Sequence, residues 1–481
     1  MALRQHDPSA PWAFELEKIV RRILDRAFRN PQFAFDTPVI VPGEKNPAKH
    51  QYRPIAQYSL EDKVIDCLVA RYLRETLDSV LSQSSMAFRC GKPGQPPPTI
   101  HDALARLLRL NRRHRKTGLY VAECDIGGFY DCVAHDVAET AIDQLIRDLS
   151  RTNQTLSIHP RALVIFGAYL RSYAFSEDAD KGQGAASLKA KDADGEYTWP
   201  RAHLQELHGR PQTLPRIGVP QGGALSCLIA NAVLHRADVE LGLLQRRRRR
   251  SINYLRYCDD MILLCRDRVV CEEAFSVYRR VVTGLKLPIH EPKPIPVRNT
   301  QRKRPLFYTQ KSNEPYLWSA SEKGGHPWIQ FVGYQIRYDG LVRIRLKSVK
   351  KELSKLRRTA DDLIHRLSFK SAKPIRCTAQ QILHRFRMKL ISMAVGRASL
   401  GYVVSPELPM CWAHGFRGLR SCQFIESALK QLDRYREQQI GRVKTRLNAL
   451  PLPTKSASPN EGHRVLPFYG RPFSYWGQFR R

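Results

Sequence analysis

The chain has 481 residues, 42% of them hydrophobic, which suffices for one large domain or two to three ordinary ones and excludes a disordered tail. Lysine and arginine outnumber aspartate and glutamate by 79 to 45, a formal charge of +34, and so basic a balance favours a polyanionic partner, nucleic acid first, through counterion release. No apolar run approaches the roughly 20 residues that span a bilayer, and the 11 cysteines, odd in number and without a C-x-x-C pair, indicate neither a disulfide framework nor a zinc ribbon. The N-terminal stretch carries acids and a proline where a secretory signal would have its apolar core, so a reducing, cytosolic setting fits.

In chain order, residues 12–28 place Trp12, Leu16, Ile19, Val20, Ile23 and Leu24 at helical spacing, a surface helix with one apolar face. Polar, proline-containing sequence follows to about residue 60, then a second long helix over roughly 60–81, and a basic helix over 100–116. The stretch LYVAECDIGGFYDCV reads as a strand running into Asp125 and a Gly-Gly pair, the kind of strand end where a side chain meets a ligand and the backbone comes close. Residues 176–214 turn polar and irregular, an insertion or surface excursion. RIGVPQGGALSCLIANAVLH leads from a glycine-rich turn into an apolar helix. The run RRRRR at 246–250 precedes INYLRYCDDMILLCR and reads equally as a solvated face or as a phosphate-tracking segment beside an active site.

That last stretch sets Asp259 and Asp260 between two apolar, β-favouring segments, a hairpin with adjacent carboxylates at its turn. An unpaired carboxylate in such surroundings costs several kcal/mol or shifts its pKa and neutralises, so the pair should face solvent, as turn aspartates commonly do, or a cation. Asp125, Asp259 and Asp260 together would make an oxygen-only site suited to Mg²⁺ or Mn²⁺, with no His or Cys placed to make it zinc. Two such ions about 4 Å apart activate an attacking 3′-hydroxyl and stabilise the leaving pyrophosphate, which points to a nucleotide polymerase or a nuclease. Beyond residue 345, Val349, Leu353, Leu356, Ala360, Leu363 and Leu367 form one helical stripe with Lys350, Lys351, Lys355, Arg357 and Arg358 off it, and more helical sequence covers about 376–398 and 420–448. The tail interleaves Phe468, Tyr469, Phe473, Tyr475, Trp476 and Phe479 with Arg471 and Arg480, a pattern that either stacks on unpaired RNA or, as preferred here, packs onto the core.

Taken in order, these stretches resemble the reverse transcriptase family. Asp125 to Tyr130 is similar to its first catalytic block, G-x-P-Q-G-G at 218–223 to its template-and-nucleotide block, Y-C-D-D at 257–260 to its Y-x-D-D hairpin, GLKLPIHEPKP with Lys293 to the following lysine block, and FVGY at 331–334 to the primer grip. Upstream, YRPIAQYSLEDKVIDCLVARYL and SSMAFRCGK resemble fingers segments of the group II intron branch and its bacterial relatives. The resemblance runs from about residue 50 to 335, with two departures: Phe88-Arg89-Cys90-Gly91-Lys92 where the branch has F-R-P-G-R, and Ser226-Cys227 where it has S-P. Both concern positioning and put fidelity or template choice in doubt more than polymerisation.

The resemblance implies an α+β right-hand polymerase: N-terminal helices and fingers over 1–120, a palm with an antiparallel sheet over 121–345, a helical thumb over 346–450 and a tail over 451–481. It implies that Asp125, Asp259 and the carbonyl of Ile126 hold two Mg²⁺ ions, or Mn²⁺ in their place, with Asp260 in support. It implies that Arg53 and Lys63 neutralise the triphosphate, that Tyr130 excludes a 2′-hydroxyl, that Gln221 packs on the nucleotide and templating base, and that Lys293 protonates pyrophosphate. Arg89, Gly222, Phe331 and Gly333 would lie near template or primer, and Lys350, Lys351, Lys355, Arg357 and Arg358 would grip duplex phosphates. The partners implied are an RNA template, deoxynucleoside triphosphates and a DNA product. With a basic helical C-terminal part and no recognisable His/Cys nuclease cluster, the chain looks similar to bacterial antiphage defence-associated reverse transcriptases, which typically copy a co-encoded noncoding RNA, and this is the preferred reading. An intron-encoded maturase, an RNA-binding splicing or scaffold factor, and untemplated or protein-primed synthesis remain as alternatives; retron signatures sit at the wrong positions.

Overall fold

The computed structural model describes residues 11–46, 49–91, 94–153, 155–179, 196–249, 251–294, 311–320, 325–368, 377–396, 412–416, 418–419, 423–453 and 470–474. The chain divides into two units, Met1–His326 and Pro327–Arg481, a division that falls inside the stretch 121–345 expected as palm. Both are mixed α and β with antiparallel sheets, the fold class the sequence implied.

In the first unit, α1 (Pro11–Leu24) turns Ala13 and Ile23 inward but leaves Trp12, Leu16 and Val20 exposed. Residues 39–57, which the sequence reading passed over as polar and proline-containing, form an antiparallel hairpin of β1 (Val39–Asn46) and β2 (Gln51–Gln57). Its prolines, Pro42 and Pro54, face each other in the register. β1 is an edge strand and β4 pairs with β2 only at Gln51 and Tyr52, so neither proline stands between two strands, which is why the composition hid them. The Ser59 side chain caps α2 (Leu60–Leu77) by accepting the Asp62 N–H, and a Thr99–Asp102 capping box opens α3 (Ile100–His114).

The chain then enters the main sheet through β3 (Leu119–Cys124) and leaves it for α4 (His135–Thr152), α5 (Pro160–Arg171), the short β4 (Glu196–Tyr197) alongside β2, and α6 (Arg201–Leu207). Next come α7 (Ala224–Arg247), β5 (Ile252–Tyr257), β6 (Asp260–Cys265), α8 (Arg268–Gly284) and β7 (Asn313–Trp318). The sheet order is β5-β6-β3-β7, antiparallel throughout. Its strands are buried on both faces, from Val121 and Ala122 to Ile262, Leu263 and Leu264. The first half of helix α7, from Leu225 to His235, is buried almost all round, packed by α2, α4 and α8, while Arg236, Val239, Leu243, Arg246 and Arg247 of its second half are exposed.

In the second unit β8 (Trp328–Phe331), β9 (Tyr334–Arg337) and β10 (Val342–Ile344) make a meander. The turn between the first two uses Val332 at φ 43° and Gly333 at φ 88°, both left-handed, as a two-residue hairpin of primed type requires. Helix α9 (Leu346–Ser368) buries Val349, Leu356, Ala360 and Leu367 of the expected stripe. It packs against α11 (Gln423–Asn448), as does α10 (Ala379–Val395). In the tail, Phe473 is fully buried, edge-on to Trp412, and Asp433 accepts the N–H groups of Phe473 and Ser474, so this part packs onto its own unit. Phe468, Tyr469, Tyr475, Trp476, Phe479, Arg480, Lys92, Arg250 and residues 180–195 lie outside the described residues. Among the described residues no helix is long and apolar enough to cross a membrane.

Candidate active site

The hairpin expected around the adjacent aspartates is present. Strands β5 and β6 close on the pair Tyr257–Asp260, which leaves Cys258 and Asp259 as a two-residue turn. Cys258 takes φ 58°, a left-handed value that a non-glycine residue adopts at a cost of about 1 kcal/mol or more. What holds it there is Arg256. Its guanidinium is fully buried, forms a two-pronged ion pair with the equally buried Asp238 of α7 (2.9 and 2.5 Å), and donates through Nη1 to the carbonyl of Cys258 at 3.0 Å.

Strand β3 pairs with β6 so that Cys124 faces Met261, and Asp125 therefore leaves the strand beside the turn. The two acids feel each other. Burial raises the pKa of Asp259, the Asp125 charge adds to that rise, and hydrogen bonds from its own backbone N–H and from Cys258, with Arg53, oppose it. Asp125 is fixed by its backbone: its N–H donates to Ser312 Oγ at 3.0 Å and its carbonyl accepts from the His290 N–H at 3.0 Å. Its carboxylate meets Lys311 Nζ at 3.0 Å and His290 Nε2 at 3.5 Å. Ile126 is buried and bridges to Ile289, whereas Asp260 is exposed at the head of β6.

The glycine-rich turn is anchored to the same place. Val219 donates to the Tyr130 carbonyl, Gly218 to that of Val133, and the Gln221 carbonyl accepts from Ala56 of β2. Gly222, at φ 106°, lies against Ile55 and Ala56. Asp66 of α2 accepts the N–H groups of Ala224 and Leu225, capping α7 from a distant part of the chain. The Gln221 side chain donates to Asp131 Oδ1 at 2.5 Å, and burial pushes the Asp131 carboxyl up to about 6 against that hydrogen bond and the charges of Lys45 and Arg53. Tyr130 lies half-buried on Phe129, with its hydroxyl 3.4 Å from Cys258 Sγ.

The structure thus brings Asp125, Asp259, Tyr130, Gln221, Gly222 and Arg53 to one region, with Arg53 exposed on β2 and acting on both Asp259 and Asp131. Other expected residues stand elsewhere. The lysine beside Asp125 is Lys311, just before β7, while Lys293 is exposed and its backbone joins Ser312 and Glu314. Lys63 is exposed early in α2. Arg89 corrects the sequence reading: it is buried, its guanidinium shared between the Asp78 carboxylate and the carbonyls of Asp78, Leu81, Ser82 and Ser85, so no donor is left for a template. The arginine run also stands apart, because Arg246–Arg249 precede β5, whose other end carries the acids. Phe331, buried, and Gly333 belong to the second unit, as do Lys350, Lys351, Lys355 and Arg357, all exposed, and Arg358, half-buried.

The residues sequence reasoning missed are Lys311, His290, Asp131, Asp66 and Asp238. Among the described residues no three His, Cys, Asp or Glu side chains are grouped to hold a metal ion. The donor chemistry nevertheless suits Mg²⁺, which is bound through one or two carboxylates plus substrate phosphates rather than by a closed protein cage. Asp125 and Asp259 are such a pair, and the ammonium of Lys311 already lies where the carboxylates draw positive charge.

No protein-family profile matches the chain, and no curated protein does. Among solved structures it is similar to telomerase from Candida albicans with a TWJ fragment of telomeric RNA, at 11% identity over 90% of this chain, with a TM-score of 0.38. It is also similar to apo telomerase from Candida tropicalis, at 12% identity over 89% of this chain and 68% of that one, with a TM-score of 0.40. The chain spans 64% of the Candida albicans protein. At that level of likeness the residues of the site, not the neighbours, carry the functional reading.

Proposed function

We propose that the chain is an RNA-directed DNA polymerase that adds deoxynucleotides to a primer on an RNA template. The observation that carries this reading is the electrostatic coupling of Asp125 with Asp259 at one end of the main sheet, with Tyr130 and the Pro220–Gly223 turn packed against the same end. A nuclease reading gains nothing from that turn. A flat, glycine-rich backbone beside paired carboxylates suits a nascent base pair, against which Gln221 would lie once it leaves Asp131.

Asp125, Asp259 and the carbonyl of Ile126 would hold the metal, with Asp260 in support. Bound Mg²⁺ or Mn²⁺ would activate the primer 3′-hydroxyl and offset charge on the leaving pyrophosphate. Arg53, Lys63 and Lys311 would attract the triphosphate, Lys293 would serve as proton donor only by swinging in, and the ring of Tyr130 would sit under the deoxyribose. Residues 1–120, 121–345 and 346–450 would act as fingers, palm and thumb, with the lysines and arginines of α9 on duplex phosphates. The template we favour is a structured noncoding RNA, in antiphage defence.

Primer extension on RNA with Mg²⁺ or Mn²⁺ tests the reading. Wild-type chain should extend, and Asp125→Ala and Asp259→Ala should each lose at least a thousandfold. A chain that binds RNA and supports its biological effect unchanged with both aspartates replaced is a scaffold, not a polymerase.

A further inference from the structure

The main sheet has a second end. Strands β3, β5 and β6 carry the acids at one edge, and their opposite ends lie side by side: Ile252 at the start of β5 and Tyr120 near the start of β3 both face Cys265 at the end of β6. Six residues of strand separate the two edges, about 20 Å. The chain reaches this far edge four times, from the end of α3, from the end of α7, from β6 into α8, and from β7. At the first three of these places the sequence is arginine-rich: Arg112 and Arg113 in the last turn of α3 with Arg115 just past it, Arg247 at the end of α7 with Arg249 just past it, and Arg266 after β6. All six are exposed, and among the described residues none is paired with a carboxylate.

Neighbouring acids are already engaged. Glu273 pairs with Arg248 and Glu272 with Arg268, while Asp267 caps α8 through the Val270 N–H. The arginines act on one another's surroundings: the His114 pKa is lowered, first by burial and then by Arg266 and Arg113, groups that come from two different strand ends. Six like charges gathered on one edge repel in the absence of a ligand. Guanidinium forks match phosphate oxygens in pairs, and closely spaced ones match a polynucleotide backbone better than a scattered anion.

We propose that this far edge of the sheet is a second nucleic-acid surface, which grips the phosphate backbone of double-helical RNA about 20 Å from the catalytic acids. It would hold a folded part of the RNA while another part is at the acids, and it stands whether or not the chain polymerises. The grip reads charge and groove shape, not sequence.

The test measures binding of a blunt 20-base-pair RNA duplex to the full chain without nucleotides or divalent ions, across a salt series. Replacing four arginines (R112Q, R113Q, R115Q, R266Q) should weaken binding at least tenfold near 150 mM salt and reduce the slope of log K against log salt by about three. A second variant of equal charge change, R71Q/R147Q/R151Q/R210Q, alters exposed arginines elsewhere on the same unit and should weaken binding less than twofold. The lysine version of the first set should retain at least a third of the affinity, which separates a lost grip from a lost fold. Equal loss in the two glutamine variants, no loss in the first, or displacement of the duplex by anionic phosphatidylglycerol vesicles at matched charge would overturn the proposal.

Discussion

Asp238 and Arg256 form an ion pair in which neither side chain is exposed, and the same guanidinium carries the carbonyl of Cys258 at the catalytic turn. Removing one partner leaves a buried charge without compensation. Asp238→Ala should therefore cost about 3–5 kcal/mol in urea unfolding. Replacing both, Asp238→Leu with Arg256→Met, should recover most of that stability yet leave primer extension low, because nothing then holds the Cys258 carbonyl.

Asp131 gives a pH signature. Its pKa in the fold, about 6, lies above the unfolded value near 3.8, because burial disfavours the charged form. The fold therefore holds the proton more tightly than the unfolded chain, and this contribution to stability is present below pH 4 and lost as pH rises to about 6. Asp131→Asn keeps an oxygen for Gln221 but does not ionise. Its stability relative to wild type should rise between pH 4 and pH 7 by at most about 3 kcal/mol, measured by chemical unfolding at each pH.

Lys311 competes for the carboxylate that a divalent cation needs. Lys311→Ala should lower the Mg²⁺ concentration for half-maximal extension severalfold, and it should raise the KM for deoxynucleotides if the ammonium turns to the triphosphate during turnover. A titration of extension rate against Mg²⁺ at saturating nucleotide separates the two effects.

At Gly223 a Cβ would overlap the hydroxyl of the buried Tyr169. Gly223→Ala should lower stability by about 1–3 kcal/mol or more through overpacking. Adding Tyr169→Phe removes the nearest atom and should restore part of the melting temperature, with the Ser226 hydroxyl still donating to the Pro220 carbonyl.

Tyr130 presents its ring beside the turn that carries Asp259. Tyr130→Ala should raise ribonucleotide incorporation relative to deoxynucleotide at least tenfold, read by single-nucleotide extension with each substrate.

The parts of the site legible in the sequence were those that local pattern encodes. Asp259 stands in an apolar hairpin, Asp125 ends a β-favouring run, and Pro220 to Gly223 precede an apolar helix, so residue type and spacing sufficed. Lys311 was not legible, because only the pairing of β7 with β3 brings it to Asp125. Asp66 and Asp238 act on partners far along the chain or one helix away, and neither stands in a distinctive pattern. Arg89 was misread for the converse reason: a local string cannot reveal that a guanidinium is enclosed by oxygens of four residues, Asp78, Leu81, Ser82 and Ser85.

The pairing of β3 with β6 has consequences for how this gene can change. Side chains alternate faces along a strand, so inserting or deleting one codon within either would invert every following residue, sending Val121 or Leu263 to the opposite face and parting Asp125 from Asp259. Length variation among natural versions should therefore gather in the connecting loops, while within these two strands descent should proceed by substitution alone.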